Sequence, residues 1–175
     1  MKTFHHTLPN HKGTATMAIH LPDLRHDNVS LYLVPVFWAI SVAPRFWSST
    51  AYQTKTKEKW DSRAPREFVK AIEDNRVLDV AAKGRLRRAE AAVANSFENF
   101  GPFAAAVAAG SAARLDPAIL NFLSIAYLLT RIAFIYLYIH SETAGVAKVR
   151  TCAYMGGMGL LFTIFVMAGA AFKNV

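Results

Sequence analysis

The sequence predicts an all-α fold, a bundle of four helices that cross a membrane. Three observations predict it. Four apolar stretches divide the chain, and each is close to the ~20 residues that cover the ~30 Å hydrocarbon core. Charged residues make up 18% of the chain, below the ~25% usual in soluble domains. Those charges are also unevenly placed, because eleven of the twenty Lys and Arg residues fall between Lys55 and Arg88.

Residues 1–27 carry His5, His6, His11, His20 and His26 at spacings that fit no standard metal site. The segment lacks the apolar core of a signal peptide and reads as a flexible polar tail. Residues 28–175 form the membrane domain. Its first span covers residues 29–47, "VSLYLVPVFWAISVAPRFW". Pro35 and Pro44 are tolerable there because neighbouring groups re-satisfy the backbone. Arg45 lies near one end and can snorkel, and Phe46, Trp47 and Tyr52 mark an interface.

A basic link, residues 49–87, follows. Phe68, Ile72, Val77, Val80 and Ala81 recur at helical spacing, which predicts a short amphipathic surface helix. The second span covers residues 88–113, the third 118–140 and the fourth 151–172. The fourth is rich in Gly and Ala, which lets helices approach closely. Cys152 reads as a small buried hydrophobe; as the sole cysteine it forms no internal disulfide. The positive-inside rule places the basic link and the third–fourth connection in the cytosol, with both termini opposite. The net charge of +8 then fits an anionic membrane surface rather than nucleic acid.

Polar side chains inside the spans are the functional candidates. Arg88, Asn95 and Glu98 fall on one face of the second helix at 100° per residue, and Ala91 and Pro102 extend it. Glu98 lies about 15 Å along the axis from Arg88, so it is expected to face the bundle interior with a partner. Arg131, near the middle of the third span, cannot shed its charge and is the natural partner. Tyr127, Tyr136 and Tyr138 supply hydroxyls on that helix. Glu98 and Arg131 serve equally well as a helix-to-helix lock. Arg150 and Tyr154 lie four apart and share a face at the start of the fourth span. Cations and acceptors gathered in the cytosolic half suit an anionic ligand.

Three motifs carry a family resemblance: "NSFENFGPF", "RIAFIYLY" and "RTCAY", in that order on the second, third and fourth helices. The chain resembles the MAPEG family, the membrane-associated proteins in eicosanoid and glutathione metabolism. The resemblance implies a homotrimer in an endomembrane of the endoplasmic-reticulum type, with glutathione bound between protomers near the cytosolic side. Carried over residue by residue, Arg88, Asn95, Glu98, Arg131, Tyr138 and Tyr154 would hold glutathione. Arg150 would face its sulfur, and Thr151 stands where some members have a serine with that task. The implied activity is conjugation, or peroxide reduction, of a lipophilic substrate drawn from the membrane. The chain departs from the family at Ala91, where an Arg is usual, and at Phe134, where a His or Tyr is usual. A longer connection before the fourth span leaves Lys148 as an alternative to Arg150. These departures favour a rival reading, a non-catalytic family member that binds lipid or scaffolds a partner. A solute path lined by Glu98 and Arg131 is the third reading.

Overall fold

A computed structural model describes residues 22–173. Five α-helices carry most of them, and no strand occurs among the described residues. The helices are α1 (Leu33–Thr56), α2 (Phe68–Asp74), α3 (Val80–Ala112), α4 (Pro117–Ile139) and α5 (Ala144–Phe172). Three of the four long helices extend past the expected spans at the end that carries the basic link, while α4 keeps to its span within one residue. There α1 runs nine residues beyond 47, α3 begins eight before 88 and α5 begins seven before 151. Hydropathy marks where lipid begins, whereas helical hydrogen bonding continues into water. By length and composition α4 and α5 can each cross a membrane. In α1 and α3 the apolar stretch is interrupted by charge: Arg45 in the first, and Lys83 to Glu90 in the second.

Caps fix the helix ends. Asp79, Asp116 and Thr143 accept hydrogen bonds from the backbone N–H three residues on, at 2.6, 3.1 and 3.4 Å, which satisfies donors a helix start leaves open. Pro117 follows Asp116 at the first helical position. Lys57 and Arg114 adopt left-handed φ of 63° and 53° and terminate α1 and the α3–α4 corner.

The core joins all four long helices. Phe103 stacks on Tyr127 at 4.8 Å, and Phe37 meets both rings edge-on at 5.3 and 5.5 Å. Leu120, Leu161 and Ile164 close the cluster. Between apolar helices in lipid, such packing gains chiefly dispersion, so close fit decides stability. Gly157 and Gly110 provide that fit. A Cβ at Gly157 would lie 2.6 Å from Thr130 Oγ1, and one at Gly110 would lie 2.8 Å from Leu120 Cδ1.

The link differs from the expected single amphipathic helix. Asn75 breaks it after α2: its side-chain oxygen accepts from Val77 N and Leu78 N at 2.9 and 3.1 Å, a turn that competes with helix. Phe68 and Ile72 are buried as expected, but Val77, Val80 and Ala81 are exposed. Leu78, Ala82 and Leu86 take their place against Tyr52.

Before α1, the segment around Asp23–Asn28 is tied to α4. Asn121, almost fully buried, accepts from Val29 N and donates to Leu24 O and Asp27 O. His26 is exposed and pairs with Asp23 at 2.7 Å; the other tail histidines lie outside the described residues.

Candidate functional site

At the end of the bundle that carries the basic link, α3, α4 and α5 enclose a cleft of about 200 Å³. Asn95, Phe134, Tyr138, Arg150, Thr151 and Tyr154 line it. Helical spacing brings them there. Phe134 and Tyr138 are four apart on α4, and Arg150 and Tyr154 four apart on α5, so each pair shares a face. The Arg150 guanidinium carbon sits 4.5 Å from the centroid of the Tyr138 ring. That cation–π contact holds the cation while leaving its N–H groups free to meet an anion.

Arg131 lies behind the lining rather than in it. It is 1% exposed. Its Nη2 donates to Asn95 Oδ1 at 2.7 Å, and its guanidinium carbon lies 4.5 Å from the Phe134 centroid and 5.7 Å from the Tyr154 centroid. Among the described residues no carboxylate pairs with it, and its Nε has no hydrogen-bond partner. The expected Glu98–Arg131 pairing is therefore replaced by Asn95–Arg131. Because Asn95 gives its oxygen to Arg131, its amide nitrogen is the group left for the cleft. Phe134 supplies a π face to the cation.

Glu98 is exposed on the outer side of the protomer, and the expected inward position is corrected. It lies 80° from Arg88 and 60° from Asn95 around the helix, enough to turn it away while Asn95 faces in. Arg88 is also outside the cleft: Nε donates to Ile139 O at 2.9 Å, and Nη2 reaches Glu142 at 3.2 Å. Thr151 is at the cleft, but its hydroxyl donates to Ala147 O at 3.0 Å. That hydrogen is committed, so Arg150 is the better placed of the two to meet an anion. Lys148 is exposed and does not line the cleft. Cys152 is exposed, not buried, because it falls on the outer face of α5.

One polar cluster has no counterpart among the expected site residues. Glu90 is 7% exposed; it accepts from Arg45 Nη2 at 2.7 Å and from Ser48 Oγ at 2.6 Å. Arg45 also donates through Nη1 to Pro65 O at 3.0 Å and lies over the Phe68 ring. Rather than snorkelling, Arg45 locks α1 to α3 and to the link. The available signal was a pair of opposite charges, each just inside the link-side end of its span.

The model of the MAPEG family matches residues 31–170, most of the chain. The chain belongs to the MAPEG family. No curated protein and no solved structure matches it. Members of this family are membrane proteins, so the helical bundle is a membrane bundle. The matched region contains α1, α3 and α4, all but the last two residues of α5, and every residue of the cleft.

Proposed function

We propose that this MAPEG protein is a glutathione-dependent transferase or peroxidase acting on a lipophilic electrophile dissolved in the membrane. The observation that carries the reading is a cationic cleft: Arg150 at its wall, with buried Arg131 behind Asn95, Phe134 and Tyr154. Glutathione brings two carboxylates and a thiol. The nucleophile is the thiolate, and a neighbouring guanidinium favours it over the thiol. Arg150 stabilises that anion in this reading. Asn95 donates its amide to the tripeptide, and Arg131 fixes the orientation of Asn95 while adding positive potential from behind. In conjugation the thiolate sulfur forms a bond to the electrophilic carbon, and a leaving group departs or an added proton completes the product.

The cleft's 200 Å³ is less than the ~300 Å³ at which small-molecule pockets begin. A second wall is needed, and the exposed Glu98 face of α3 suits one. This favours a homotrimer in which a neighbouring protomer completes each site and presents Glu98 to the ammonium or a backbone donor of glutathione. The four long helices then cross an endomembrane of the endoplasmic-reticulum type, with the basic link cytosolic and both termini opposite.

The test is glutathione binding by calorimetry to the folded protein in detergent, followed by thiol transfer to a hydrophobic electrophile. Binding at millimolar glutathione is expected. Arg150→Ala is expected to lower kcat about 10²–10³-fold, as removal of one stabilising donor does, and to leave the fold intact. A folded protein that binds no glutathione at that concentration overturns the reading. The second reading, a non-catalytic member, is favoured by the retreat of Arg88 and the committed Thr151 hydroxyl. It predicts that Arg150→Ala changes no activity.

A further inference from the structure

A second cavity lies on the far side of α4 from the cleft. It is a groove of about 510 Å³ between α1 and α4, two long helices that touch each other little. Ala43 and Trp47 line one wall; Ile132, Ile135, Tyr136 and His140 line the other. On α4 the groove residues and the cleft residues Phe134 and Tyr138 fall on different sides of the helix, since 100° per residue separates the two sets. The groove is thus a site separate from the proposed glutathione cleft.

Its polarity is graded. Both α1 and α4 run towards the link end, so Ala43 and Ile132 lie deep and Trp47 and His140 lie at the mouth. From Ile132 to His140 the groove is about 12 Å long by helical rise. At the mouth the His140 ring packs on Tyr136 at 4.4 Å, and Nδ1 lies 2.9 Å from the Tyr136 carbonyl. A carbonyl only accepts, so Nδ1 carries the proton and Nε2 is the free nitrogen. Beside it, Arg88 covers the Ile139 carbonyl, one of the acceptors that a helix C-terminus otherwise turns towards an incoming anion. Arg85 and Arg88 share a single acid, Glu142, which leaves the mouth with a net positive charge.

We propose that this groove holds one acyl chain of an anionic phospholipid, with the head group at the His140–Arg88 end. The deep wall offers only apolar contact, as a methylene chain requires, and the mouth offers cations at the level where a head group ends. A helix of a second copy fits less well. An α-helix is about 10–12 Å across with its side chains, and its backbone and polar flanks have no use for a graded mouth.

Trp47 reports occupancy directly. Trp38→Phe and Trp60→Phe leave it as the only tryptophan, and the full chain is placed in phosphatidylcholine vesicles. A minor fraction of phosphatidylserine or phosphatidylcholine with brominated chains is then added as quencher. Brominated phosphatidylserine is expected to reach half-maximal quenching at about fivefold lower mole fraction, the ratio one extra cation near a membrane surface gives. Arg88→Gln should remove that preference, and Glu142→Gln should increase it. Ala43→Phe, which fills the groove, should reduce quenching by either lipid; Ile135→Trp is unsuitable as a second filler, so Ile132→Phe serves, with helical content checked by circular dichroism. Equal quenching by both lipids in the parent protein means ordinary surrounding lipid and overturns the proposal. So does an absence of quenching, which means that protein covers the groove, or full quenching in folded Ala43→Phe.

Discussion

Two arginines inside the bundle, half-buried Arg45 on α1 and fully buried Arg131 on α4, solve the same problem in opposite ways. Arg45 meets a carboxylate, Glu90, and both partners have further bonds, to Ser48 and to Pro65 O. Its charge is closed within the protomer. Arg131 is more deeply buried and meets an amide and two aromatic faces, with no carboxylate among the described residues. A neutral amide and π faces soften the desolvation of a guanidinium but do not cancel its charge. The first arginine belongs to a lock. The second projects positive potential into the cleft beside it, which is what an anion-binding site needs. The same residue type is thus a closed ion pair beside Glu90 and an uncancelled cation beside Asn95, on the same helix α3.

The largest expected effect breaks the lock. Glu90→Ala leaves half-buried Arg45 without its counter-charge, and because its side chain keeps 28% exposure the cost is expected at the lower end, about 3 kcal/mol, of the range for breaking a buried pair. Denaturation in mixed detergent should show that loss. Limited proteolysis should cut the link near Pro65 faster, because Arg45 also holds its carbonyl. If Glu90→Ala unfolds as the parent does, the Arg45 cluster is not a lock and the contrast fails.

That contrast was only half visible in the sequence. The four long helices followed from hydropathy, and helical periodicity grouped Asn95 with Arg88 and Glu98. Periodicity fixes angles within one helix but not the rotation of that helix against its neighbours. A turn of 60° separates Asn95, which meets Arg131, from Glu98, which faces out. Glu90 does not stand out in the sequence because it lies 200° from Arg88, on the α1 side of α3, within a charged run that reads as the end of the link. The link itself misled because Asn75 caps a turn with its own side chain, which an apolar repeat does not reveal. Residues on α5 were easier: Arg150 and Tyr154 needed only the spacing of one helix to reach one cleft.

The next effect sharpens the comparison from the other side. Arg131→Met removes a buried cation that has no carboxylate partner, so it should leave stability unchanged or raised, in contrast to Glu90→Ala. It should also abolish stabilisation by glutathione. In the parent, glutathione at a hundred times its Kd should add about 2.7 kcal/mol. Thermal unfolding with and without glutathione separates the two arginines in one experiment. A large destabilisation of the unliganded Arg131→Met protein would make Arg131 a second lock.

A smaller effect tests the packing that encloses Arg131. Gly157 faces Thr130 and Tyr127, and an added methyl would lie 2.6 Å from Thr130 Oγ1. Gly157→Ala should therefore push α5 from α4 and cost about 1–3 kcal/mol, the usual range for overpacking. Because Tyr154 is on α5, one turn before Gly157, the same substitution should weaken glutathione binding as well as stability. Gly101→Ala is the matched control on α3, where a Cβ would meet nothing within 4 Å.

The smallest effect lies at the end of α1, about three turns past Arg45. Lys57 holds a left-handed φ of 63°, and its N–H bonds to Gln53 O at 2.9 Å to close the last turn. A side chain in that region crowds the following carbonyl, a penalty that glycine escapes. Lys57→Gly should therefore stabilise the protein, by less than about 1 kcal/mol once the greater freedom of glycine in the unfolded chain is subtracted. The gain should persist in the Glu90→Ala background, because the cap bond runs within α1 and shares no partner with Arg45. If the two changes are strongly non-additive, the end of α1 is held by the lock rather than by its own cap.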